Sequence, residues 1–127
     1  SEEALRAIRE GMKAVTSPNG TAYLSSLELW DLIGKSGSAQ VGDATNAWFA
    51  GMAGPKGGAA PEIVIVALVE DVPAGQGGSS AAAPFVGKAA ASYLRTTRGM
   101  EVPALQTLRD SLMVGPWPDW STSSTSN

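Results

Sequence analysis

The sequence predicts an α+β fold, a three-stranded antiparallel sheet with helices packed on one of its faces. Apolar residues recur at helical spacing from Ser1 to Val15. Later segments have the composition of strands and are separated by glycine- and proline-rich turns. An alanine-rich helical pattern follows the last of them. At 127 residues the chain is long enough for one domain with a core and too short for two of ordinary size.

In chain order, Ser1 to Val15 reads as an amphipathic helix. Ser1 with Glu2 and Glu3 suits a helix start, and Leu5, Ile8, Met12 and Val15 follow at spacings of three and four. Gly11 interrupts the helix at a cost of about 1 kcal/mol relative to Ala, which suggests a close backbone contact. Thr16 to Gly20 is a dense turn signal, and Thr21 to Leu27 fits one short helix. Two strands are expected over Asp31 to Gln40 and Ala47 to Ala53, then a Gly/Pro/Ala loop from Gly54 to Pro61. Glu62 to Glu70, rich in Val and Ile and bounded by breakers, fits the central strand of an antiparallel meander.

A Gly-rich connection leads to a helix over Ala81 to Leu94, with Pro84 near its first turn, where the missing N–H does no harm. Its alanines would let it lie close on a sheet. A further helical pattern runs from Val102 to Met113, followed by Trp117 and Trp120 around Pro118. The Ser/Thr-rich residues 121–127 have the composition of a disordered tail.

Composition narrows the chemistry. With no His and no Cys there is no imidazole base, thiolate nucleophile or soft metal site, so no metal or other cofactor is expected. A net charge of −3 without a basic patch argues against nucleic acid as a partner. The longest apolar run, Ile63 to Val69, is far short of the roughly 20 residues of a membrane span.

Lys35-Ser36-Gly37-Ser38 is the most informative stretch. It places a cation, a hydroxyl, a glycine and a second hydroxyl on one extended segment. Alternation puts Ser36 and Ser38 on the same face, and two hydroxyls beside an ammonium can grip a carboxylate. Gly37 lets a ligand or another element approach the backbone. Other candidates are weaker. Gly75 to Gly78 lacks the Gly-Lys-Ser/Thr ending of a phosphate loop, and the carboxylate pairs Glu2-Glu3 and Glu70-Asp71 suit solvated positions.

Gly34 to Gln40, GKSGSAQ, resembles the Lys-[Thr/Ser]-Gly-[Thr/Ser] box, with its Ala-Gln extension, of the transpeptidase domain of class B penicillin-binding proteins, above all the elongation type similar to penicillin-binding protein two. Further blocks agree in order: Glu10 to Val15 with Gly20-Thr21-Ala22, Asn46 to Gly51, Ile63 to Glu70, and Gly77 to Pro84 leading to Tyr93-Leu94. The resemblance spans roughly residues 3 to 95.

The resemblance implies a fragment of the serine D,D-transpeptidase, β-lactamase-like fold. It also implies roles. Lys35 sets the charge of the site, and Ser36 and Ser38, with Gly37 between them, bind the terminal carboxylate of a peptidoglycan stem peptide or of a β-lactam. The Ser38 backbone N–H is one of two oxyanion-hole donors. Trp48 is expected in sheet packing. The family's nucleophile is the Ser of a Ser-x-x-Lys box. Each of the four Lys has another residue three positions before it (Glu10, Leu32, Ala53 and Phe85), so the nucleophile is absent from this chain. Ser17-Pro18-Asn19 has the letters of the family's second box, but a turn accounts for it.

The expectation is therefore a C-terminal segment of a transpeptidase domain over residues 1–95, a helical and Pro/Trp extension over 96–120, and a tail over 121–127. It would be inactive alone, partnered by the remainder of its domain, and located on the periplasmic face of the bacterial inner membrane, anchored by a segment outside this chain. An open edge or apolar face makes self-association possible. The alternative is a non-catalytic binding or interaction module with the same fold.

Overall fold

In a computed structural model of the protein, residues 1–27, 30–57 and 60–99 are described. Helix α1 (Glu2–Thr16) leads through a 3-10 turn (Tyr23–Ser25) into strands β1 (Trp30–Val41), β2 (Ala44–Pro55) and β3 (Ile63–Val69). A π-helical turn (Gly78–Ala82) then opens helix α2 (Ala83–Arg98). The strands form one antiparallel sheet in the order β1-β2-β3. The α+β architecture agrees with the sequence, and Ser1 caps α1 as expected, its Oγ accepting the Ala4 N–H at 3.3 Å.

Both strands of the β1–β2 hairpin run further than their composition suggests, because a two-residue turn joins them. Val41 pairs with Ala44 across Gly42-Asp43, and Gly42 supplies the positive φ (61°) that such a turn needs at its first position. The pairing then continues without a break to Trp30 and Pro55.

Among the described residues the strands form the antiparallel meander expected from sequence, but β2 is central and β3 lies at the edge, which corrects the central place expected for β3. β3 is apolar on both faces: Ile63, Ile65, Ala67 and Val69 are half-buried, while Val64, Val66 and Leu68 are exposed. Such a strand reads as buried on both sides. That pattern reports what covers its faces and says nothing of its place in the strand order.

The core lies between the sheet and α2. Phe49 and Val86 are its largest fully buried side chains. Opposed glycines make room for them. A Cβ on Gly34 would stand 2.5 Å from the Phe49 ring, and one on Gly51 would stand 2.6 Å from Val86. Ala82, Ala83, Ala90 and Ala91 are buried, so the alanine-rich face of α2 does lie close on the sheet. At its far end Tyr93 packs its ring 6.3 Å from that of Trp30 and donates from its hydroxyl to Glu62 Oε1 at 3.3 Å.

The two helices meet the sheet differently, although Val15 near the end of α1 packs against the same core as α2. α2 covers the inner face, which carries Phe49. The last turns of α1 border a cleft with Asp31, Ile33 and Met52, which alternate to the outer face. Leu5 and Ile8 of the apolar stripe are more than half exposed, and only Met12, Val15 and Thr16 are partly or fully buried. Gly11 has nothing within 4 Å of a built Cβ, so the close contact expected there is absent. The expected helix over Val102 to Met113, the segment around Trp117 and Trp120, and the tail fall outside the described residues, as does nearly all of the extension over 96–120.

These packing differences make a direct comparison. Gly34→Ala should cost about 1–3 kcal/mol by driving a methyl into the fixed Phe49 ring. Val66→Thr, on the exposed face, should stay within about 0.5 kcal/mol of wild type. Urea denaturation of the two variants checks the contrast.

Candidate active-site strand

Lys35, Ser36, Gly37 and Ser38 occupy the middle of β1, whose other side is unpaired among the described residues. Pairing with β2 fixes the direction of each side chain. Ser36 lies opposite Phe49 and Ser38 opposite Ala47, so both hydroxyls sit on the inner face, as alternation predicts. Lys35, opposite Ala50, and Gly37, opposite Trp48, sit on the outer face. Trp48 is 42% exposed there, beside Leu68 across the ladder, so its packing in the sheet is only partial.

The backbone groups have a phase as well. In an antiparallel ladder, opposite residues alternate between pairs that exchange hydrogen bonds and pairs whose N–H and C=O point away from each other. The Ala53 carbonyl accepts from Glu62 N at 2.7 Å and the Thr45 carbonyl from Val72 N at 2.9 Å, so both face the β3 side. On β1, the Leu32 carbonyl accepts from the Thr16 hydroxyl, away from β2. Leu32 pairs with Ala53 and Gln40 with Thr45, and the register runs unbroken between them. Ser36 and Ser38 therefore turn their N–H and C=O groups to the open edge, whereas Lys35 and Gly37 bond to β2.

Lys35 reaches the same edge from the other face. Its ammonium donates to the Ser36 carbonyl at 2.5 Å. The open edge thus gathers two backbone N–H donors, two hydroxyls and a cation within four residues. That set suits an anionic or carbonyl-bearing ligand laid along the strand.

The box is backed from the inner side by the π-helical turn. A Cβ on Gly78 would fall 2.0 Å from the Trp48 carbonyl oxygen and 2.8 Å from both N and O of Gly37. One on Gly77 would stand 3.0 Å from Ser38 Oγ. Ser80 Oγ accepts the Gly77 N–H at 3.1 Å, and Ser79 Oγ donates to Thr21 Oγ1 at 3.0 Å, tying the turn to the segment after α1. Read from sequence, Gly75 to Gly78 was only a turn. The Gly-Gly pair before the alanine run was the available signal for a close approach.

The other candidates have structural explanations. Ser17 ends α1 with its Oγ donating to the Lys13 carbonyl at 2.8 Å, and Asn19 takes the left-handed turn (φ 72°) expected of a Ser-Pro-Asn-Gly bend. Glu70 and Asp71 are exposed. In the cleft at the far end of β1, Asp31 accepts the Gly57 N–H at 3.0 Å and lies 4.0 Å from the Lys13 ammonium. No group of three or more metal-ligating side chains occurs among the described residues.

A model of the penicillin-binding protein transpeptidase domain matches residues 1–91. The chain belongs to this family. A comparison with curated proteins returns no match. The transpeptidase match covers α1, the whole sheet and the first half of α2, so β1 and the turn behind it lie inside the shared domain. Among the described residues no helix is long and apolar enough to cross a membrane.

The phase of the transpeptidase edge strand has a direct readout. The amides of Ser36 and Ser38 should exchange with solvent on the order of 100-fold faster than those of Lys35 and Gly37. Residue-resolved hydrogen exchange checks this, and equal protection of all four would mean a different register.

Proposed function

We propose that this chain supplies one wall of the active site of a peptidoglycan D,D-transpeptidase of the class B, elongation type, a cell-shape enzyme. The observation that supports it is the open edge of β1, where Ser36, Ser38 and Lys35 converge inside a family-matched domain. The terminal carboxylate of a D-Ala-D-Ala stem peptide, or of a β-lactam, accepts from the Ser36 and Ser38 hydroxyls. The Lys35 ammonium offsets its charge. Gly37, with no side chain, keeps the strand accessible between them.

Acyl transfer passes through a tetrahedral intermediate with a developing oxyanion, and donors already aimed at that position stabilise it. The Ser38 N–H is one such donor, because it is not spent on β2. The nucleophilic Ser, its activating Lys and the second oxyanion donor come from the remainder of the transpeptidase domain, since no Ser-x-x-Lys occurs in these 127 residues. The same partner covers the outer face, where Trp48, Val64, Val66 and Leu68 form an exposed apolar patch; uncovered, that patch favours self-association. Stem peptides lie outside the cytoplasmic membrane, so the working enzyme would act on its periplasmic side.

Two measurements test the reading. Intact-mass analysis of the chain incubated with a labelled penicillin should show no covalent adduct; an acylated Ser would refute the assignment of roles. In the complete enzyme, Lys35→Ala should slow acylation by about 10–100-fold, the worth of a charge-assisted contact. Acylation at the wild-type rate would remove Lys35 from the site.

A further inference from the structure

The π-helical turn behind the box has no part in the roles assigned so far, yet it makes the tightest backbone approach to it. A π-turn is a rare conformation that recurs at functional sites. Gly78 is buried and seated against Gly37 and the Trp48 carbonyl, at a distance no other residue type permits. Its neighbour differs in kind. Gly77 has φ −156° and ψ −169°, extended backbone that any residue adopts, and a Cβ there would meet a single atom, the Ser38 Oγ, at 3.0 Å. Conformation therefore does not require glycine at position 77. A Cβ there would instead crowd the Ser38 hydroxyl, which would have to shift by a few tenths of an ångström.

We propose that Gly77 is a positioning residue for the carboxylate-binding edge: by carrying no side chain it leaves the Ser38 hydroxyl free to turn toward a peptide carboxylate laid along β1. Gly78 sets the distance of the turn from the strand, and the Ser80 cap on the Gly77 N–H together with the Ser79–Thr21 hydrogen bond holds the turn in place. The contact acts on one side chain at the edge and leaves the ladder and core untouched. Changing it should alter ligand affinity without altering fold stability. The inference rests on the carboxylate reading of Ser36 and Ser38.

The test uses the 127-residue chain and N-acetyl-D-Ala-D-Ala as probe, with binding followed by the backbone amide shifts of Ser36 and Ser38. Wild type should show saturable shifts at both. Gly77→Ala should weaken binding by about 3–10-fold, the worth of one hydrogen bond, with an unchanged urea midpoint and a displaced Ser38 Cβ resonance. Ser38→Ala should weaken binding similarly. The double variant should bind like Ser38→Ala alone, because the methyl then has no Oγ to crowd. Gly77→Ala binding as tightly as wild type would overturn the role of Gly77, as would additive losses in the double variant. Absence of any saturable shift in wild type would overturn the carboxylate reading itself and this inference with it.

Discussion

The twelve-residue ladder between β1 and β2, closed by the turn at Gly42 and Asp43, decides which groups of the box face the open edge. A slip of one residue would exchange the two faces. Ser36 and Ser38 would move to the outer face, and their N–H groups would be consumed by β2. Several contacts hold the register from different sides. The Thr16 hydroxyl engages the Leu32 carbonyl on the open side, and Phe49 fits only over a glycine at position 34. Register, core packing and the chemistry of the edge are thus one constraint.

That constraint also accounts for how closely the inner layer is built. Gly34 and Gly51 admit Phe49 and Val86, Gly87 sits against the Ser25 backbone, and Gly78 rests on Gly37 and Trp48. Each removes a side chain where another element must approach, so α2 and its leading turn lie directly behind the box. Close support of this kind holds the groups of the box in fixed positions. The outer face is the opposite case. Its exposed Val64, Val66, Leu68 and Trp48 form an apolar surface of the kind that marks an interaction site.

Much of this was legible in the sequence, and the misses have physical causes. Alternation alone placed Ser36 and Ser38 together, since a strand of any register keeps that relation. Strand composition found all three strands. It misplaced β3 in their order because apolarity on both faces reports burial by layers and not neighbours within a sheet. The Gly42-Asp43 pair between two extended runs is a hairpin signal, and the tight turn it forms is what lengthens both strands. The stripe on α1 predicted a helix correctly but not its cover, because amphipathicity does not name a partner. The hydrogen-bond phase of Ser38 and its closeness to Gly77 were beyond reach: the first depends on the exact pairing of β1 with β2, and the second on a contact between segments some forty residues apart in the chain.

The central claim is that the open edge at Ser38 receives the acyl group during transpeptidation. A crystal structure of the complete transpeptidase domain acylated by a penicillin tests it most directly. The account predicts the acyl carbonyl oxygen about 2.7–3.1 Å from the Ser38 backbone nitrogen, with the penicillin carboxylate on the Ser36 and Ser38 hydroxyls. An acyl group bound away from β1, or a Ser38 N–H engaged by another strand, would contradict it.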